Sequence, residues 1–346
     1  MFSSTLAIRV AFKTLTLNKD LDEDASQIIM WLKESHNFSA RSSTTYRVVI
    51  LRFYLYLKNQ NITLAKINRR SIIDYLDFIK NPPAEWRGNQ LPIRHPLWKP
   101  FSVKNLSLNS LNYNNKIIHQ LFQYLHNIGY IPKNPLANPI KQYIDVSGED
   151  KERYFTESEC EIIFSYINHI QPDTKKQLEM KIRALWIFQL LIFTACRRSE
   201  IANATMDDFV IKDELLWFKV IGKGQKYGEV PVIKSLEVAL NNYREFYNLP
   251  PIREKNQPEQ NIPAIIKTFK NGEYLSIHSS LIRVVLRRIC KKLASELPVK
   301  NYKLIHKLNS ISTHWMRHTS ASIQANSGMD LRTVQKNLRH ASIETT

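Results

Sequence analysis

Residues 313–346 read THWMRHTSASIQANSGMDLRTVQKNLRHASIETT. His314 and Arg317 stand three apart, so on a helix they share one face. His340 follows in NLRH. The last ten residues, 337–346, hold no glycine, no proline and no charged tail, and the pattern breaks off while still running. Two earlier segments carry groups of the same kind. TACRRSEI, 194–201, holds Arg197, with Glu200 one turn further on. ELLWFKVIGKGQKYGEVPVI, 214–233, alternates apolar residues on both sides of a glycine-bounded tip loaded with lysines. That pattern predicts a β-hairpin with Lys223 at its end. The collected groups are two guanidiniums, one ammonium and two imidazoles. No carboxylate cluster accompanies them, which disfavours a two-metal nuclease. Arginine forks match phosphate oxygens, and fixed cations stabilise a phosphoryl transition state. The set therefore suits a phosphodiester in a reaction without metal, but it lacks a nucleophile.

Composition points to the same class of partner. The chain has 346 residues, enough for about two domains, and a formal net charge of +18. Residues 1–150 carry 19 Lys+Arg against 11 Asp+Glu, and residues 151–346 carry 30 against 20. Both halves are basic, so the excess is no single tail, and a polyanion such as nucleic acid is the expected partner. Cys160, Cys196 and Cys290 lie far apart and form no CxxC. That argues against a disulfide framework or a thiolate zinc site and fits a reducing compartment. His314 and His318 imitate a zinc pair, but the glutamate of that motif is missing and Met316-Arg317 lie between, so no metal is expected. No run of 18 apolar residues predicts a membrane span, and the start lacks the pattern of a signal peptide.

The first half reads as helices. In STTYRVVILRFYLYLK, residues 43–58, Tyr46, Val49, Ile50, Phe53, Tyr54 and Leu57 form one apolar stripe, with Ser43 or Thr44 as the expected cap. RSIIDYLDFIK repeats the pattern with Ile72, Leu76 and Ile79. NKIIHQLFQYLHNIG does so with Ile118, Leu121, Phe122 and Leu125, closed by Gly129. Five prolines make residues 81–101 a loop insertion. Its Trp86, Trp98 and Arg94 are expected to pack on the domain in preference to meeting a partner. Residues 1–140 are thus expected to form a helical domain, 141–153 a linker and 154–346 a second domain. That second domain opens on a capping box, Thr156 with Glu159. KIRALWIFQLLIFTA, 181–195, is apolar nearly all round and belongs in the middle of a domain. A further helix is predicted over 279–294.

These segments resemble the tyrosine recombinase (phage integrase) family. Thr194-Ala195-Cys196-Arg197-Arg198-Ser199-Glu200-Ile201 is similar to T-G-L-R-x-S-E-L, with Ala195 and Cys196 replacing Gly and Leu. Gly222-Lys223-Gly224-Gln225-Lys226 matches G-K-G-x-K. His314-Trp315-Met316-Arg317-His318-Thr319 matches H-x-L-R-H-T with Met for Leu. Residues 338–346, LRHASIETT, resemble the start of L-G-H-x-S-x-x-T-T-x-x-Y. There Arg339 stands for glycine, which permits a positive-φ turn; the expectation is a different turn shape or a contact with DNA. The family tyrosine follows the motif histidine by nine residues, which is position 349, three past Thr346.

The resemblance implies a mainly α fold with a small β-hairpin or sheet in the catalytic domain. It implies a two-domain clamp on double-stranded DNA, built from a SAM-like helical core-binding domain and the catalytic domain. It also implies a homotetramer on two DNA sites, no metal or nucleotide cofactor, and a cytoplasmic, nucleoid-associated protein encoded by a bacterium or phage. By position, Arg197 and Arg317 would hold the non-bridging oxygens of the scissile phosphate. Lys223 would protonate the departing 5′ oxygen, His314 would assist proton transfer at the nucleophile, and His340 would hydrogen-bond the phosphate. Glu200 would orient the arginine pocket. The tyrosine would form a 3′-phosphotyrosyl link, and the 346 residues without it are expected not to cleave. Two alternatives stay open: a non-cleaving DNA-binding protein, and an enzyme like the type IB topoisomerases.

Overall fold

The computed structural model describes residues 22–34, 40–89, 91–92, 95–140, 153–222 and 227–339. The chain divides into two compact units, Met1–Glu149 and Asp150–Thr346. Residues 141–152 of the expected linker lie outside the described residues.

Among the described residues, the first unit has four α-helices: α1 (Glu23–Glu34), α2 (Ala40–Asn59), α3 (Arg69–Lys80) and α4 (Leu108–Asn127). The predicted stripes are its core. Phe53, Ile72, Ile79, Ile118, Leu121, Phe122 and Leu125 are all fully buried, and the Phe53 ring meets Tyr75 edge-on at 4.9 Å. Helix α1 escaped the sequence reading, although two acidic residues open it and Ile28 and Trp31 share its buried face. Its Asp24 carboxylate accepts hydrogen bonds from the Leu64 N–H at 2.9 Å and the Tyr130 hydroxyl at 2.8 Å. The expected cap of α2 is corrected: the helix opens at Ala40, so Ser43 and Thr44 lie inside it. The 81–101 insertion folds onto α3, as expected of its two tryptophans. Trp86 meets Phe78 edge-on at 5.0 Å, and Trp98 is buried. The insertion is not wholly loop, because β1 (Arg87–Gly88) and β2 (Phe101–Ser102) pair in parallel across its ends. The Arg52 guanidinium sits 4.7 Å above the Phe101 ring and donates to the Pro100 carbonyl. Arg94 lies outside the described residues.

The second unit opens with α5 (Glu157–His169), and its Thr156–Glu159 capping box is formed as predicted. Next comes α6 (Lys175–Thr194), the expected central helix. Trp186, Ile187, Phe188, Leu190 and Leu191 are at most 1% exposed, which places α6 inside the core. A short α7 (Arg198–Asn203) leads to an antiparallel sheet of β3 (Phe209–Lys212), β4 (Leu215–Ile221) and β5 (Tyr227–Pro231), in the order β3-β4-β5. Along β4, Leu216, Phe218 and Val220 point into the core while their neighbours face outward. That alternation is what a one-sided sheet requires. Then follow α8 (Lys234–Phe246), a hairpin of β6 (Ile266–Lys270) and β7 (Glu273–Ser276), and α9 (Ser279–Glu296). The unit continues with α10 (Tyr302–Ser310), α11 (Thr313–Asn326) and α12 (Leu331–Leu338). Among the described residues, no helix is long and apolar enough to cross a membrane.

Candidate active site

The site is built from helix ends. At the end of α6 the Thr194 hydroxyl donates to the Leu190 carbonyl at 2.5 Å and accepts from the Cys196 N–H at 3.2 Å. Ala195 then turns left-handed, with φ 51° and ψ 20°. This reversal makes Arg197 the cap residue of α7. Its backbone N–H donates to Glu200 Oε2 at 2.8 Å and its Nη1 to Glu200 Oε1 at 2.9 Å. The Glu200 carboxylate is buried, whereas the Arg197 side chain is 45% exposed and so can still reach a ligand. Cys196 is buried behind them, and burial pushes its thiol up.

The left-handed turn costs an L-residue about 1–2 kcal/mol, and glycine returns about 0.5–1 kcal/mol of that as backbone entropy. Ala195→Gly is therefore expected to stabilise the unit by about 0.5–1 kcal/mol, read as a higher urea midpoint. A lower midpoint would mean that the contacts of the Ala195 methyl with Val334 and Leu338 outweigh the strain.

Helix α11 carries the second arginine. Ser312 caps its start, and Met316, Arg317 and Thr319 face inward. Arg317 is only 3% exposed, so its charge needs buried partners. Its Nη1 donates to the Ala195 carbonyl at 2.7 Å, and its Nη2 donates to the Leu338 carbonyl. Both acceptors lie at C-terminal helix ends, where partial negative charge gathers. Burial, then the nearby Arg197 and Arg339, bring the Arg317 pKa down to about 10, so the group stays charged at neutral pH. Thr319 fixes the start of the unit by accepting the Phe155 N–H at 3.0 Å.

His314 lies one turn before Arg317, on the solvent side. Protein packed around its imidazole, and then the charges of Arg317 and Arg197, lower its pKa. The neutral ring is thus favoured at neutral pH and is free to accept a proton. Its ring meets that of His318 edge-on at 4.5 Å.

Helix α12 is capped by Asp330 and ends in Arg339, which has φ 55° and ψ 43°. This corrects the expectation for Arg339. The turn is the left-handed one that glycine would adopt, and the arginine adopts it. Its side chain folds back inside the unit, where Nη2 donates to Glu200 Oε2 at 2.9 Å. Glu200 therefore joins Arg197 to Arg339. The sequence reading missed Arg339 as a member of this cluster, since its partner lies 139 positions away.

Arg197, Glu200 and Arg317 lie close together, with exposed His314 one turn from buried Arg317 and within electrostatic reach of Arg197. Lys223 and His340 lie outside the described residues. The strands that flank Lys223 are formed, with Ile221 opposite Tyr227. Arg197 and Arg339 share the Glu200 carboxylate, and Arg317 adds a third guanidinium nearby on main-chain carbonyls, which leaves a positive site matched to an anion.

Residues 153–346 match the phage integrase family, and the chain belongs to that family, the tyrosine recombinases. It is 26% identical over 333 residues to the tyrosine recombinase XerC of Staphylococcus epidermidis, covering 94% of this chain and 91% of that one. XerC of Staphylococcus haemolyticus is 24% identical with the same coverage. Among solved structures, the fold is similar to the XerH site-specific recombinase bound to its difH substrate. That match has a TM-score of 0.58 and 18% identity, and it covers 99% of this chain and 90% of that one. It is also similar to a lambda integrase dimer on a COC′ core site, with a TM-score of 0.60 and 15% identity over 93% and 96% of the two chains.

Proposed function

We propose that this tyrosine recombinase cuts and rejoins double-stranded DNA at specific sites, using Arg197 and Arg317 to hold the two non-bridging oxygens of the scissile phosphate. The observation that carries the assignment is the Arg317 guanidinium, buried and fixed by two main-chain carbonyls beside the Arg197–Glu200 pair. A charge held in advance stabilises developing phosphoryl charge without reorganising. In the family the nucleophile is a tyrosine, whose place falls three residues past Thr346, and its phenolic oxygen attacks phosphorus. Neutral His314 assists removal of the phenolic proton. The P–O5′ bond breaks, Lys223 gives its proton to the departing 5′ oxygen, and a 3′-phosphotyrosyl ester forms. Attack by a 5′ hydroxyl reverses the step and frees the tyrosine. His340 completes the contacts to the phosphate.

Exchange between two duplexes cuts four strands, and each protomer supplies one such site, so a homotetramer on two DNA sites is the assembly this chemistry requires. A topoisomerase reading is not favoured, because relatives that match across both units are recombinases.

DNA binding is testable on residues 1–346 alone. Affinity for duplex DNA is expected to fall steeply with salt, because each neutralised phosphate adds roughly −0.9 to the log–log slope. A slope near zero in a salt titration contradicts the assignment, since the +18 charge would then have no polyanion to neutralise.

A further inference from the structure

We propose that Arg339 is a positioning residue of this site: it ties the turn leading to His340 and the strand leaving the Lys223 tip to Glu200, and through Glu200 it sets Arg197. The inference deepens the reading of Arg197 as a phosphate ligand and rests on it.

Three observations meet on this side chain. First, Arg339 occupies a left-handed turn at φ 55°, where glycine would sit without strain. Second, its Nη2 reaches Glu200 Oε2 at 2.9 Å, and the same group lies 3.4 Å from Cys196 Sγ. The other oxygen of Glu200 holds Arg197 Nη1 at 2.9 Å, so the carboxylate is a bridge between two arginines. Third, the stem of Arg339 lies across Gly228 in β5. A Cβ at Gly228 would fall 2.7 Å from Arg339 Cδ and 3.6 Å from Cγ. Gly228 is not among the positive-φ glycines, so its backbone makes no demand for glycine. The demand comes from the arginine stem.

The head of Arg339 has little else to hold it. Among the described residues, its Nε and Nη1 are buried without a hydrogen-bond partner. Pushing the stem aside therefore pulls Nη2 from Glu200, with only the long contact to Cys196 Sγ left to hold the guanidinium. Glu200 then keeps only its contacts to Arg197, and the carboxylate and Arg197 shift together. A displacement of about 1 Å in a positioning group can cost about 10²-fold in rate.

The geometry makes Gly228 and Arg339 one unit, and a double-mutant cycle reads that directly. The chain is carried through the tyrosine, and four proteins are compared: unaltered, Arg339→Gly, Gly228→Ala, and both. Single-turnover formation of the covalent DNA adduct, duplex affinity and the thermal midpoint are measured on each. Arg339→Gly is expected to slow adduct formation by about 10- to 100-fold, with affinity within about twofold and no fall in midpoint, since the left-handed strain is relieved. Gly228→Ala alone is expected to slow it comparably. In the Arg339→Gly background the same Gly228→Ala is expected to do nothing further.

Additive effects overturn the inference, as does adduct formation at the unaltered rate by Arg339→Gly. So does a loss of rate that only follows a loss of midpoint. Arg317→Ala, run alongside, separates the two readings. If Arg317→Ala forms adduct normally, the phosphate site itself is wrong. If its rate collapses while the cycle is additive, only the role of Arg339 is wrong.

Discussion

Arg317→Ala, in a chain carried through the tyrosine, is expected to lower adduct formation by about 10²–10³-fold, the scale of losing one preorganised contact to transition-state charge. The structure adds a second effect. The Ala195 and Leu338 carbonyls lose their charged donor, and both lie at buried ends of helices. Leaving buried acceptors unpaired costs about 1–3 kcal/mol each, so with two of them a fall in stability of about 2–6 kcal/mol is expected with the loss of rate. Measuring both separates the roles. Adduct yield on a denaturing gel at a temperature where the variant is still folded reports the chemistry, and a melt reports the anchoring. A folded variant that cleaves at the unaltered rate would remove Arg317 from the site. Duplex affinity is expected to stay close to its original value, because one buried guanidinium is a small part of a +18 chain.

Lys223→Ala is expected to show a defect that depends on the leaving group. A general acid contributes typically about 10²–10⁴-fold, and that is the expected loss on ordinary DNA. A 5′-bridging phosphorothiolate departs as a thiolate and needs little protonation, so Lys223→Ala should be largely restored on it. Arg197→Ala should not be restored, since its work lies with the non-bridging oxygens. Residues 1–346 alone should form adduct with neither substrate. An adduct from that form would mean that another residue attacks, and equal defects on both substrates would take the proton from Lys223.

Local spacing made much of this legible. Arg197 and Glu200 are three apart at a helix start, so their pairing follows from chain geometry. The stripes of α2, α3 and α4 follow from period alone. Other features carried a signal that went unread. The hairpin of β6 and β7 turns on Asn271-Gly272, both at positive φ, which is the strongest short hairpin signal there is. The turn between β3 and β4 carried none, because Asp213 and Glu214 take positive φ there without a glycine. The deepest part of the site was illegible for a different reason. Arg317 is held by main-chain oxygens 122 and 21 positions away. A carbonyl has no letter in the sequence, so no motif records that it is needed.

That anchoring bears on how such a site drifts over generations. A side-chain partner vanishes with one substitution, whereas a carbonyl survives every substitution that leaves the helix end in place. Ala195 and Arg339 both stand in left-handed turns that glycine would also adopt, and Arg317 keeps both carbonyl acceptors beside them. Substitutions that keep those two helix ends in place leave the anchor of Arg317 unchanged.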